Sequence, residues 1–223
     1  MQFAFKLSLG ICFLVLSACQ SGLSGLVNTH SDPPNPSQNQ TTGQSQISPR
    51  TKGSTLTGIV VWPQEAAPLN DLRFEIQAIT PAKTWKTQSS PQGQFKLENL
   101  EWQTSSTPLR MEARALANPH LVFKCLYLPA SATAEPQTME MTLTSTAIVA
   151  LLDQAHSMNS QVKQLSPARL SQDDAKPLVE KVKNSMMPYF NAGLKAPLET
   201  MPEVATLLDQ TVKKLESMPG MLP

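Results

Sequence analysis

Few residues of this chain have both the type and the spacing that catalysis or metal binding requires. Its histidines are His30, His120 and His156. His156 follows Asp153 by three residues in a stretch of helical periodicity, where a carboxylate one turn away can orient an imidazole as a general base. No Gly-x-Ser-x-Gly elbow accompanies that pair, so a solvated helix face is the simpler reading. His120 and Cys125 form one pair without a repeat, short of the ligand cluster that zinc needs. Met139 with Met141, Met186 with Met187 and Met218 with Met221 offer soft thioethers suited to Cu(I). Methionine also fills irregular cores, and no His, Cys and Met cluster is local in the sequence. Asp173-Asp174 read as charges favoured by a helix N-terminus. No Gly-rich phosphate loop or His-Glu-x-x-His run occurs. The expectation is therefore no catalytic residue, no metal and no cofactor. Of the three tryptophans, Trp62 continues an apolar strand and is expected in the core. Together with Trp102 the three could form an aromatic platform for sugars or peptides, with Trp85, flanked by Lys83, Thr84, Lys86 and Thr87, the candidate ligand-binding residue expected to be most exposed, while core packing is the simpler reading overall.

The strongest chemical signal lies near the start. Lys6 precedes a short apolar run from Leu7 to Ala18 that ends in small residues, the layout of a secretory leader. The run is too short to cross a bilayer, which takes roughly 20 apolar residues. It ends in Leu16-Ser17-Ala18-Cys19, which resembles the lipobox of bacterial lipoproteins. That resemblance covers the leader alone and implies cleavage between Ala18 and Cys19, with diacylglycerol on the Cys19 thiol and acylation of the new amine. One acyl chain binds membranes marginally at about 0.8 kcal/mol per buried methylene, whereas two or three hold effectively for good. Cys19 is thus expected to be an anchor in the lipid bilayer. Gln20 stands where lipoproteins kept at the inner membrane carry Asp, which favours the outer membrane if the cell has two.

Loss of residues 1–18 removes Cys12 and Lys6. Lipidated Cys19 then leaves Cys125 alone, with no disulfide to form, and 17 basic against 17 acidic side chains. A formally neutral chain has no electrostatic drive toward nucleic acid. Residues 19–54 are rich in Ser, Gln, Asn, Thr and Pro, a composition expected to stay disordered. As a flexible coil it would span on the order of 30 to 35 Å, a tether between lipid and body.

The elements that position everything else begin after Ser54, where the hydrophobic period becomes two. Leu72, Phe74, Ile76 and Ala78 alternate with polar residues, as do Leu109 to Ala115 and Met139 to Leu143, the pattern of antiparallel strands with one wet face. Thr55 to Trp62 and Leu121 to Leu128 are apolar on both faces and are expected to be central. With Thr84 to Gln88 and Gln94 to Leu97 about seven strands result, punctuated by Pro63, Pro81, Pro91-Gln92-Gly93 and Pro129. Gly58-Ile59-Val60, followed by Gly93-Gln94-Phe95-Lys96-Leu97 and Leu100, resembles the carboxypeptidase regulatory-like, or transthyretin-like, β-sandwich family over Thr55 to Thr144. That family carries Thr-Asp where this chain has Ser89-Ser90. The resemblance implies a non-catalytic accessory or binding module.

Beyond Thr144 the period is helical. Ile148, Leu151, Leu152 and Ala155 form one stripe, and Leu178, Val179, Val182, Met186 and Phe190 a second, opened near Asp174 and ended around Pro188 to Gly193. Val204, Leu207, Leu208, Val212 and Leu215 form a third. Thr200, Pro202 and Glu203 read as a capping box opening the last helix. Helices this short need packing, so residues 145–223 are expected to cover the sandwich or a partner. The fold expected is α+β: an antiparallel Ig-like or transthyretin-like β-sandwich at 55–144 followed by amphipathic helices. The function expected is a non-enzymatic envelope lipoprotein binding a protein or polymer partner. The alternatives are a structural spacer docking an assembly through its helices and, behind it, a hydrolase.

Overall fold

The computed structural model describes residues 54–66, 71, 73–101, 108–128, 138–191 and 193–222, all within one compact unit, Ile47–Pro223. The expected leader, the expected lipobox with Ala18 and Cys19, the expected tether as far as residue 53, His30 and Trp102 lie outside the described residues. Seven strands come first: β1 (Ser54–Val60), β2 (Phe74–Ile79), β3 (Thr84–Gln88), β4 (Gln94–Leu100), β5 (Leu109–Ala115), β6 (Val122–Tyr127) and β7 (Met139–Met141). Four helices follow: α1 (Leu143–Ser157), α2 (Pro167–Leu170), α3 (Lys176–Asn191) and α4 (Pro202–Ser217). The strands form two sandwich-like sheets, ordered β4-β1-β7 and β3-β2-β5-β6, which share one hydrophobic core with the helices.

Alternation sets the sheet faces. Phe74, Ile76 and Ala78 are fully buried while Glu75 and Gln77 between them stay half-exposed, and the same beat in β5 buries Leu109, Met111, Ala113 and Ala115. Two glycines have specific reasons. Gly93 sits in the β3–β4 turn at φ +81°, a left-handed conformation that side chains resist. There Ser90 Oγ accepts from the Gln92 and Gln94 amides, both at 3.2 Å, and Ser89 Oγ accepts from the Phe74 amide at 2.8 Å. Gly58 lies opposite Phe95 on one side and Met139 on the other. A Cβ at Gly58 would stand 2.4 Å from the Phe95 ring and 2.7 Å from the Met139 carbonyl oxygen.

The structure corrects the sequence reading at four places. The β1–β7 pair is parallel, so one sheet is mixed. The strand expected through Thr144 stops at Met141, because Thr142 and Ser145 make a reciprocal capping box, each backbone N–H donating to the other's hydroxyl at 3.0 Å. Thr200 is not the cap of α4: Met201 holds that position with no side-chain cap, Pro202 opens the helix, and the Thr200 hydroxyl donates back to the Pro197 carbonyl at 2.7 Å.

The fourth correction concerns β6, expected to be central and found at a sheet edge. Its outward face is covered by α1 instead of another strand. Thr146 Oγ1 accepts from the Lys124 amide at 3.0 Å, and Ser145 Oγ donates to the Lys124 carbonyl at 2.9 Å. Two hydroxyls from the start of α1 thus occupy edge groups that would otherwise template another strand. This is why the helix layer belongs to the sandwich: α1 packs on β6, α3 and α4, and Ala147 to Leu151 are all buried.

Charged links reinforce the junction. Arg110 on β5 donates both guanidinium nitrogens to Asp153 on α1 at 2.7 and 2.8 Å. Asp153 first, then Glu112, raises the Arg110 pKa above its ordinary value and keeps it charged. Lys124, 8% exposed, pairs with Glu199 just ahead of α4. We expect Glu199→Ala to cost about 1–3 kcal/mol by leaving a buried ammonium without its partner. Lys124→Met with Glu199→Leu should recover most of that loss. Urea titration of the single and double variants checks both outcomes.

Candidate functional site

The residues proposed from the sequence disperse in the fold. Both carboxylate oxygens of Asp153 are taken by Arg110 and His156 is exposed, so Asp153 serves as a strut between helix and sheet. His120 occupies the turn before β6, its amide donating to Asn118 Oδ1 at 3.0 Å. Asp174 engages Arg169 at 2.6 and 2.7 Å, and that guanidinium lowers the Asp174 pKa. The pair read as α3 N-terminal charges thus spends one carboxylate on a neighbouring arginine, and no acidic residue stands in the first turn of α3.

Trp85 corrects the expectation of an exposed platform: it is 9% exposed. In an alternating strand the polar neighbours Thr84 and Lys86 share the opposite face, and they are the exposed ones. Trp85 pairs with small Ala78 on β2, which leaves room for the indole. The Lys83 ammonium lies 5.0 Å from the ring centroid. The buried indole N–H finds no hydrogen-bond partner among the described residues.

The soft ligands behave as core. Cys125 is buried and free, with its sulfur 3.3 Å from that of Met139, and Met111 is its cross-strand partner. Among the described residues no group of three or more His, Cys, Asp or Glu side chains is placed to hold a metal ion. Burial pushes the Cys125 thiol up to about 12, so it stays protonated at neutral pH. Two outcomes follow. Iodoacetamide should modify Cys125 only as fast as the protein opens. Because the unfolded thiol ionises from about pH 8.5 and the folded one does not until about 12, its stabilisation is complete below that lower value and is lost as pH rises through this window. The denaturation midpoint of wild type should accordingly fall relative to that of Cys125→Val, which has no thiol to ionise, between pH 9 and 12.

Concavity is found elsewhere. A groove of about 650 Å³ opens where the end of β1, the first turn of α1 and the middle of α3 meet. That size falls within the range of about 300–1,000 Å³ typical of ligand pockets. Its walls include Trp62, Pro63, Leu143, Met187 and Pro188, with Lys183 at the α3 side. The Val61 amide donates to the Met141 carbonyl at 2.9 Å, which fixes the β1 end against β7 and the α1 cap. Trp62 is not deep core as expected but half-buried. It meets Phe190 edge-on at 5.2 Å and Phe123 at 6.2 Å, so one side of the indole belongs to the core while the residue also forms a groove wall. Sequence reading missed the groove because residues 61–65, 142–144 and 183–188 converge only in the fold. The one legible signal was the Met186-Met187 pair, which splits into a buried residue and a wall residue. The arrangement can hold an apolar body, with one ammonium at Lys183 and one carboxylate at Glu65. Comparison with protein-family models, with curated proteins and with solved structures finds no match for this chain.

Proposed function

We propose that the protein is a lipid-anchored lipoprotein of the bacterial envelope whose folded body is a non-enzymatic binding module for a protein or polymer partner. The single observation that carries the reading is Leu16-Ser17-Ala18-Cys19 closing a leader that bears one lysine and a short apolar run. Acylated Cys19 holds the bilayer, residues 20–53 serve as tether, and residues 54–222 present the binding surface, at the outer membrane where there are two. We further assign the sheets to a transthyretin-like sandwich. Gly58 beneath the Phe95 ring and Ser90 accepting in the Gly93 turn support that assignment.

Between binding module and helix-docked spacer, the burial of the helix stripes favours the former. Ile148, Leu151, Ala155, Val179, Val182, Met186, Val204, Leu208, Val212 and Leu215 are all buried within the body, so these stripes are not offered to an assembly. Metabolic labelling with an alkyne fatty acid tests the anchor: wild type should be marked and Cys19→Ala should not. Equal labelling of the two would remove the proposal. Crosslinking in intact envelopes should recover a partner beyond lipid.

A further inference from the structure

The groove between β1, α1 and α3 has a chemistry of its own, and its two kinds of wall point to one class of occupant. Among the described residues six apolar side chains, Val61, Trp62, Pro63, Leu143, Met187 and Pro188, line it, and Val61 is 37% exposed despite its type. Lys183 is the cation lining the groove. The 15-residue helix α1 opens on the groove wall at Leu143 and Thr144 with no acidic residue in its first turn, so its positive pole lacks the side-chain compensation that helices commonly carry. Thr142 satisfies the Ser145 amide, while Leu143 and Thr144, whose backbones open the helix, face the cavity as lining residues. Among the described residues the carboxylate lining the groove is Glu65, from the segment after β1, and Lys183 is paired with Glu180 one turn back on α3.

A largely apolar wall that carries one ammonium suits an apolar chain ending in a single negative charge. We propose that this groove binds a small amphiphilic monocarboxylate, with its hydrocarbon against Val61, Trp62 and Met187 and its carboxylate at Lys183. Lys183 exchanges Glu180 for the ligand, so the site is held closed in charge when empty. This assignment rests on the reading of the body as a binding module and names what one of its surfaces takes. Anchoring through Cys19 does not depend on it.

Calorimetric titration of the full-length chain with octanoate, and with 1-octanol as the uncharged counterpart, provides the test. Octanoate should bind once per chain and about tenfold tighter than octanol, the scale of one charge-assisted hydrogen bond. Lys183→Ala should erase that tenfold difference while leaving octanol binding and the unfolding midpoint unchanged. Glu180→Gln, which frees the ammonium, should tighten octanoate. Val61→Glu, at an exposed wall position, should weaken both ligands. No saturable binding, equal binding of acid and alcohol, or indifference to Lys183→Ala would each overturn the assignment. A chain that fails here but still labels at Cys19 loses the ligand and keeps the anchor.

Discussion

Phe123→Ala is expected to cost about 3–5 kcal/mol of folding stability, a large part of the roughly 5–15 kcal/mol that ordinary domains possess. Phe123 is 1% exposed and stands at a crossing of elements. Its ring meets Phe74 of β2 at 5.8 Å, Phe190 of α3 at 5.7 Å and Trp62 beyond β1 at 6.2 Å. Truncation removes buried area and aromatic contacts within its own sheet, to the segment after β1 and to the helix layer at once, and leaves a cavity that rigid strands cannot close. Far-UV circular dichroism in urea should show a lower midpoint with one transition retained. Two separated transitions would mean that helices and sandwich fold apart, against the integrated unit that α1 on the β6 edge implies.

Gly58→Val should cost at least the upper part of the 1–3 kcal/mol range of overpacking substitutions. The first atom added already lies 2.4 Å from the Phe95 ring, and the parallel partner strand offers a backbone oxygen that cannot turn aside. Gly58→Ala should do the same to a smaller degree and couple to its neighbour. In Gly58→Ala with Phe95→Leu, the double loss should fall below the sum of the single losses, as expected for side chains in direct collision. Additive losses would place the cost in backbone entropy alone. Gly93→Ala should also destabilise, for a different reason: φ +81° with the Val60 carbonyl oxygen 2.6 Å from the new Cβ.

The strands were legible because each half-buried strand writes its own period of two. Leu72 to Ile79 predicts β2 nearly to the residue, and Gly93 predicts its turn. What could not be read locally was which element covers a second apolar face. Val122 to Tyr127 looks like a central strand, yet its outer side is closed by Ser145 and Thr146, some twenty residues later. Trp85 misled for a related reason: polar neighbours at i±1 speak for the opposite face of a strand, so they indicate burial of the residue between them as readily as exposure. At Met201 the apparent cap at Thr200 lost to a proline that starts the helix without a side-chain acceptor. The groove was invisible because its walls come from three separated segments, none of which carries a motif.

The proposed anchor and the body make different demands on the same chain. The body needs no disulfide: its single described cysteine is packed against a methionine, and stability comes from one core that runs through both sheets and the helices. The anchor needs only residues 16–19 and the leader before them. A point change in one part should therefore leave the other intact, so Cys19→Ala should fold with the wild-type urea midpoint while losing its membrane attachment.

The most direct measurement is the mass of the N-terminal peptide of the protein isolated from envelopes. The account predicts a chain that starts at Cys19 and carries a diacylglyceryl thioether, with or without a further acyl group on the amine. A peptide that still contains residues 1–18, or one that starts at Cys19 with a bare thiol, would contradict it.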